Sequence, residues 1–76
     1  MKEYLEFIAR HLVAHPEQVV LGDQVREDRI IFTLHVAEQD VGKVIGRKGR
    51  TAQAMRILLA AVAAREGKRV ILEIAE

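Results

Sequence analysis

Residues 44–50 of this 76-residue chain read Val-Ile-Gly-Arg-Lys-Gly-Arg, and this heptad decides the fold. Two glycines bracket two cations, an aliphatic pair precedes them, and a helix-like run follows. Glycine lets the backbone turn sharply and approach another molecule, because it carries no Cβ. Cations at the tip of such a turn favour an anion, as do the free N–H groups of the helix that follows. A tight basic loop between two helices therefore indicates a device for holding a phosphate backbone, which points to nucleic acid.

The distribution of charge along the chain favours the same interpretation. The formal net charge is only +1, which by itself argues nothing about nucleic acid. Residues 41–56 hold five cations and no acid, whereas the rest of the chain holds seven cations and eleven acids. The five cations are Lys43, Arg47, Lys48, Arg50 and Arg56. A concentrated basic segment in an otherwise acidic domain is typical of proteins that bind polyanions, although a solvated helix face has the same composition.

Hydrophobic spacing predicts three elements before the loop. Apolar residues at helical spacing from Leu5 predict an amphipathic helix, which Pro16 ends because the residue before proline avoids the helical region. A strand is predicted over 18–25, followed by a polar hairpin at 27–28. The clearest strand is predicted over 30–36, with its even-numbered residues facing the core.

Three more elements are predicted around and after the loop. Asp40 can cap a short helix over 41–45, which the two glycines of the loop then interrupt. A longer helix is predicted from about Arg50 to Glu66, with Gly67 as its stop. The last strand is predicted over 68–75.

The order α-β-β-α-α-β predicts one small α+β domain over residues 1–76. The first two strands should pair as an antiparallel hairpin, whereas the second and third are joined through helices and can lie parallel. Half of the residues are hydrophobic and 30% are charged, which is the composition of a globular domain. We therefore expect a three-stranded mixed sheet covered on one face by three helices.

The long helix carries two apolar stripes. The broad stripe, which should cover the sheet, comprises Ala52, Met55, Leu58, Leu59 and Val62. The second stripe lies on nearly the opposite side and comprises Ala54, Ile57, Ala61 and Ala64. This second stripe is either an exposed alanine-rich surface or a contact with another chain, because alanines permit close approach of two helices. An isoleucine among the alanines slightly favours a dimer interface.

The loop and its context resemble a known family. Residues 41–51 read Val-Gly-Lys-Val-Ile-Gly-Arg-Lys-Gly-Arg-Thr, which adds a glycine at 42 to a Gly-x-x-Gly loop. The loop stands between two predicted helices and after an alternating strand, in the order of a type II, prokaryotic K-homology (KH) domain. KH modules clamp backbone nucleotides with such a GXXG loop. The whole chain is similar to the small bacterial KhpA family of stand-alone KH domains.

The resemblance implies that single-stranded RNA binds in a groove about four nucleotides long. By similarity, Gly46, Arg47, Lys48 and Gly49 would hold the sugar-phosphate backbone. Val44 and Ile45 would give an aliphatic floor under the bases. The flanking residues Lys43, Arg50 and Thr51 would add phosphate contacts.

The resemblance also implies a cellular role. Proteins of this family are described as RNA chaperones or post-transcriptional regulators linked to cell elongation and cell-wall homeostasis. They pair with themselves or with a larger KH protein of the KhpB/Jag type. The start of the chain mixes charged and apolar residues unlike a signal peptide, and its apolar runs are too short to span a bilayer, so a cytoplasmic location is expected.

Aromatic residues play little part in the expected recognition of RNA. Only Tyr4, Phe7 and Phe32 are aromatic, and none lies near the loop in sequence. Recognition by base stacking is therefore not favoured, and one isolated domain should bind RNA weakly, with micromolar or poorer affinity. With two or three phosphate contacts, the salt slope on single strands should be roughly −1.5 to −2.

Other functions fit the residues less well. The spacing of Gly42 and Gly46 matches neither a Walker loop nor a dinucleotide fingerprint, so no nucleotide cofactor is expected. The chain has no serine or cysteine to serve as a nucleophile, and we expect no enzyme. His11 and His15 have a spacing that can share a metal, but two solvated histidines are the simpler interpretation. A second hypothesis is a dimerisation or scaffold module whose basic loop docks an acidic protein.

Overall fold

The predicted order of helices and strands is confirmed by a computed structural model that describes residues 1–75. Its elements are α1 (Lys2–Leu12), β1 (Val20–Val25), β2 (Arg29–His35), α2 (Val41–Ile45), α3 (Arg50–Ala64) and β3 (Arg69–Ile74). Short 3-10 turns lie at Pro16–Gln18, Glu38–Asp40 and Arg47–Gly49. No helix in the described part of the chain is both long and apolar enough to cross a bilayer.

The sheet has β2 at its centre, antiparallel to β1 on one side and parallel to β3 on the other. In register, Leu34 lies opposite Leu21 of β1 and Ile74 of β3. Phe32 and Leu34 are buried, as the alternation in the sequence predicts. The predicted mixed sheet and α+β class are therefore confirmed.

The core lies between this face of the sheet and the three helices. It includes Leu5 and Ala9 of α1, Val44 of α2, and Met55 and Leu59 of α3. Burial of apolar side chains contributes about 25 cal/mol per Å² of surface removed from water, so this layer supplies most of the stabilisation. The same packing fixes α2 and α3, which carry the loop between them.

Several element boundaries differ from the sequence expectations. The helix α1 ends at Leu12, before the proline that was expected to end it, and β2 covers Arg29–His35 and not 30–36. The strand β1 begins at Val20, because residues 16–18 form a 3-10 turn after the proline. The helix α3 ends at Ala64, and the chain turns through Gly67 at φ +67°. The strand β3 accordingly runs from Arg69 to Ile74.

The sheet-facing stripe of α3 also differs from the expectation. Leu58 was predicted to cover the sheet, and this is wrong, since 58% of the residue is exposed. The buried stripe consists of Ala52, Met55, Leu59 and Ala63. Two alanines in this stripe let α3 lie close to the sheet, and Leu58 is turned towards α1, where it lines an apolar groove with Tyr4 and Ile8.

Candidate nucleic-acid interface

The segment between α2 and α3 is a defined turn. Gly46 ends α2 at φ +78° and ψ 173°, Lys48 has φ +56°, and Gly49 has φ +74°. The N–H of Gly46 donates to the carbonyl of Gly42 at 2.9 Å, and the N–H of Gly49 donates to that of Gly46 at 3.1 Å. Three of the four residues 46–49 thus have positive φ, and the segment forms a tight turn between the two helices. We call this turn the basic loop (Gly46–Gly49).

Position 46 requires glycine because of its neighbour Thr51 as well as its backbone angles. A Cβ on Gly46 would overlap the Oγ1 of Thr51 and lie 2.8 Å from the Thr51 backbone nitrogen. The first turn of α3 thus packs directly on the Gly46 backbone, and this packing closes the basic loop. Thr51, predicted as a phosphate contact, has this packing position in the structure, where it is half-buried.

The cations of the basic loop and of the first residue of α3 project into solvent. Arg47, Lys48 and Arg50 are all exposed, and none has an ion-pair partner within residues 1–75. The N-cap of α3 is Gly49, so no side chain caps the first-turn N–H groups of that helix. These unneutralised charges and backbone donors at one corner favour an anion such as a phosphate.

Lys43 differs from the other predicted contacts because it already has a partner. Its Nζ lies 3.4 Å from a carboxylate oxygen of Asp40, three residues earlier. About half of the Lys43 side chain remains exposed, so it still adds positive potential beside the basic loop. A phosphate would compete with Asp40 for this ammonium.

Asp40 itself has a role that the sequence did not predict. Its side chain does not cap α2, so the predicted capping contact is wrong. The carboxylate instead accepts hydrogen bonds from the backbone N–H groups of Ala14 at 3.1 Å and His15 at 3.0 Å. Asp40 is only 1% exposed and is the only buried charged residue among residues 1–75. It ties the segment after α1 to the start of the helix that carries the basic loop.

The ionisation of Asp40 follows from these contacts. Burial by itself would raise the pKa of this carboxyl, because the charged form loses hydration. The N–H groups of Ala14 and His15 and the ammonium of Lys43 stabilise the charged form more strongly, so the pKa of Asp40 is lowered. Asp40 is therefore charged at neutral pH.

The aliphatic floor predicted beside the basic loop needs a correction. Val44 is 0% exposed and belongs to the core, so in this structure it offers no surface to a base. The single short turn of α2 points Val44 inwards, against the layer formed by α1 and α3, and leaves Ile45 half-buried at the rim. Val44 anchors the basic loop from beneath.

Arg56 makes a contact that spacing along the chain could not reveal. Its Nε and Nη2 donate to the backbone carbonyl of Leu72 at 3.3 Å and 3.0 Å, across the seam between α3 and β3. A carbonyl is neutral, so the guanidinium keeps its charge. The positive potential of the basic loop therefore continues along α3 to the free edge of β3.

The second stripe of α3 lies where the sequence analysis put it, on the outer surface. Its members Ala54, Ile57, Ala61 and Ala64 are all exposed, Ile57 by 61%.

Beside this stripe lies the apolar groove between α1 and α3, with a volume of about 230 Å³. Its lining residues include Met1, Tyr4, Ile8, Leu58 and Val62. The sequence analysis missed this groove, because Leu58 was assigned to the sheet.

The histidines do not converge on a metal site. His11 stacks on Phe7, with ring centroids 4.2 Å apart, and its Nδ1 lies 2.9 Å from the Phe7 carbonyl oxygen. His15 lies beside Glu17, with 3.5 Å between nitrogen and oxygen. Within residues 1–75, no three His, Cys, Asp or Glu side chains are grouped so that they could hold a metal ion.

Comparisons with known proteins agree with this geometry. Residues 2–74 match the family described as "KhpA/KhpB, KH domain". Proteins named "RNA-binding protein KhpA" from Chlamydia muridarum and Clostridium acetobutylicum are each 47% identical to the chain, over 76 and 74 residues. These matches cover 100% and 97% of this chain, and 97% and 99% of the relatives. A protein of the same name from Listeria monocytogenes is 40% identical over the full length of both chains. No solved structure matches the chain.

Proposed function

Because the chain belongs to the KhpA/KhpB family of KH domains, we propose that it binds single-stranded RNA and holds its backbone on the basic loop. One observation carries the proposal: Gly46–Gly49 projects as a tight turn whose two cations have no acidic partner in the described chain. Bound phosphates would face Arg47 and Lys48, while Ile45 offers apolar contact at the rim. The function requires no chemical step, and we assign no catalytic residue.

We further propose how RNA binding is used. A small domain that grips a few nucleotides of any unpaired segment suits an RNA chaperone or post-transcriptional regulator. The family resemblance supports a link to cell elongation and cell-wall homeostasis and a location in the cytoplasm. A larger KH protein of the KhpB/Jag type is the proposed heterologous partner, which the name of the matching family supports.

Replacing Arg47 and Lys48 together with aspartate tests the role of the basic loop. Each charge-assisted hydrogen bond contributes about 1.5 kcal/mol or more, so losing two should weaken RNA binding roughly 100-fold. The salt slope should also fall by about 1.4, since each phosphate contact on a single strand contributes about 0.7. Fluorescence anisotropy with a labelled hexanucleotide at several salt concentrations measures both quantities.

The matched control for the double variant has the same change in net charge, made at two cations away from the basic loop. Arg10 and Arg65 are exposed cations on α1 and after α3, and their replacement by aspartate should leave RNA affinity within about threefold. Circular dichroism should show both variants folded. Unchanged RNA binding by the Arg47–Lys48 variant, with loss of an acidic protein partner, would favour the scaffold function instead.

We also propose that the outer surface of α3 is a dimer interface. The stripe Ala54–Ile57–Ala61–Ala64 is exposed in the monomer and continues into the apolar groove beside Tyr4 and Leu58. Burying such a surface removes apolar area from water, and its alanines allow two helices to approach closely. A homodimer would present two basic loops to one RNA.

The change Ile57→Lys should convert this dimer to a monomer. It would place a charge on the apolar stripe, and desolvating that charge costs more than the contact contributes. Sedimentation velocity should therefore show half the mass of the parent protein. The change Gln18→Lys adds the same charge at an exposed position outside α3, in the 3-10 turn after α1, and should leave the mass unchanged. An Ile57→Lys protein with unaltered mass would remove this interface from consideration.

A further inference from the structure

The face of the sheet that the helices leave open carries an unusual set of side chains at one end. Arg29 of β2 is in register with Arg69 of β3. On the other side, the N–H of Arg26 donates to the carbonyl of Arg29 at 2.8 Å and extends the β1–β2 ladder by one residue. Three arginines, which we call the arginine row (Arg26, Arg29 and Arg69), thus stand side by side across three strands.

Two contacts establish that the arginine row lies on the open face. The Nη2 of Arg26 donates to the Oε1 of Gln24 at 3.3 Å, and Gln24 is in register with Ile31 in the adjacent row of the sheet. Ile31 is in turn in register with Ile71, which is 40% exposed because no helix covers it. Alternate residues of a strand share a face, so Arg29 and Arg69 lie on the same side as these two isoleucines.

The arginine row forms no ion pair within the described chain, and its two nearest acids in sequence, Glu27 and Asp28, lie exposed in the turn beside it. Arg29 and Arg69 have no side-chain hydrogen bond or ion pair among residues 1–75, and Arg26 contacts only a neutral amide. Neighbouring strands are about 4.8 Å apart, which brings three like charges within roughly 10 Å of one another. Like charges placed directly opposite across strands destabilise a sheet.

We propose that the arginine row is a second phosphate-binding surface, used for a second segment of RNA. Guanidinium groups bind phosphate oxygens in a bidentate manner and tolerate a crowded site better than ammonium groups. The amide of Gln24 and the exposed side of Ile71 lie beside the arginines and offer polar and apolar contact to a ribose or base. The choice of RNA, among polyanions, rests on the function proposed above for the basic loop.

The separation between the two surfaces decides what they can do together. The basic loop precedes α3, whereas the arginine row lies beside the turn that follows α3, where the N–H of Arg69 donates to the carbonyl of Asp28. A helix of 15 residues is about 22 Å long, and the arginine row lies on the face of the sheet that α3 does not cover. A strand of about four nucleotides on the basic loop cannot reach the arginine row. One domain would therefore hold two RNA segments, which favours the annealing of complementary strands.

The test uses the full chain with Arg26, Arg29 and Arg69 all changed to glutamine, which we call the row variant. Binding of a labelled hexanucleotide, which fills only the basic loop, should stay within twofold of the parent. Binding of a labelled, unstructured strand of roughly twenty nucleotides should weaken about tenfold, and its salt slope should fall by about 2. The rate at which the protein anneals two complementary strands of that length should fall to the rate without protein.

A matched control carries the same loss of charge elsewhere, at Lys2, Arg10 and Arg65, each changed to glutamine. Equal weakening of long-strand binding in this control and in the row variant would overturn the proposal, as would unchanged long-strand binding in the row variant. Stronger, row-dependent binding to phosphatidylglycerol vesicles or to polyglutamate than to RNA would also overturn it, in favour of a membrane or an acidic protein. A fall in the melting temperature of the row variant would overturn it as well, because the arginines would then stabilise the sheet.

The outcomes also separate this proposal from the function of the basic loop. If the parent protein binds the long strand through the arginine row but does not bind the hexanucleotide, the basic-loop function fails and the second surface stands. If the hexanucleotide binds and the row variant behaves like the parent, the basic-loop function stands and the second surface fails.

Discussion

A protein with Gly46 replaced by alanine is expected to lose both stability and RNA binding, more severely than any other single change in the basic loop. At φ +78° and ψ 173°, this residue occupies a backbone region that is nearly restricted to glycine, at a cost of about 1–3 kcal/mol for other residues. The added Cβ would also overlap Thr51 Oγ1. We expect a total loss of about 3 kcal/mol or more, which lowers the melting temperature by roughly 15 °C. Thermal unfolding followed by circular dichroism measures it.

Two other glycines provide graded controls for this change. Gly42 lies within α2, and a Cβ there would meet nothing within 4 Å, so Gly42→Ala should stabilise the protein by about 0.5 kcal/mol. Gly49 also has open space but a left-handed backbone at φ +74°, so Gly49→Ala should cost about 1 kcal/mol. Equal effects at all three positions would contradict the steric argument for Gly46.

A second-site change sharpens the same prediction. Thr51→Ala removes the Oγ1 that an alanine at 46 would overlap, but the backbone nitrogen of residue 51 would still lie 2.8 Å from the new Cβ. Thr51→Ala should therefore recover only part of the lost stability in the Gly46→Ala background. Complete recovery would mean that the hydroxyl alone, and not the backbone, dictates glycine at this position.

The change Asp40→Asn is expected to lower stability more than a change at any other polar residue, although less than Gly46→Ala. It should also weaken RNA binding indirectly. An asparagine side chain offers one acceptor oxygen, whereas the carboxylate accepts from the N–H groups of both Ala14 and His15. One buried donor would be left without a partner, which should lower the melting temperature by several degrees. Asp40→Ala, which leaves both donors unpaired, should lower it further, and equal melting temperatures for the two variants would contradict the assignment.

The dependence of stability on pH gives an independent test of Asp40. Its folded-state pKa lies below the ordinary value of 3.8, so its contribution is complete above that pH and is lost as the pH falls through the lower folded value. The parent protein should therefore lose stability in urea titrations as the pH falls below 3.8, and Asp40→Asn should lose less. Its own backbone N–H and the N-terminal ammonium lower the pKa of Glu3, but Glu3 is present in both proteins. A parallel loss in the two proteins would exclude Asp40 as the source.

The sequence predicted the fold well because its signals were local. Alternation along β2, the proline after α1 and the glycines around α2 each depend on the chemistry of a few neighbouring residues, and the structure has the element that each signal predicts. The boundaries that differ, such as the end of α3 at Ala64, lie where a helix and a turn compete over one or two residues.

The candidate site was less predictable, because its important contacts join distant residues. Asp40 was read as a helix cap, and its contact with Ala14 and His15 spans about 25 positions of the chain. Val44 was predicted to be a surface residue. The spacing of apolar residues in a helix as short as α2 does not distinguish an inward side chain from an outward one. The arginine row depends on strand register, which sets position 69 beside positions 26 and 29, about 40 residues earlier in the chain.

The contact of Arg56 with β3 has a consequence for self-association. An edge strand with open carbonyl and N–H groups invites a strand of another molecule, which is the usual route to sheet extension and aggregation. At this edge, the Arg56 guanidinium donates two hydrogen bonds to the Leu72 carbonyl. It also adds a charge that an incoming strand would have to desolvate. Molecules of this protein are thereby discouraged from joining their sheets through β3.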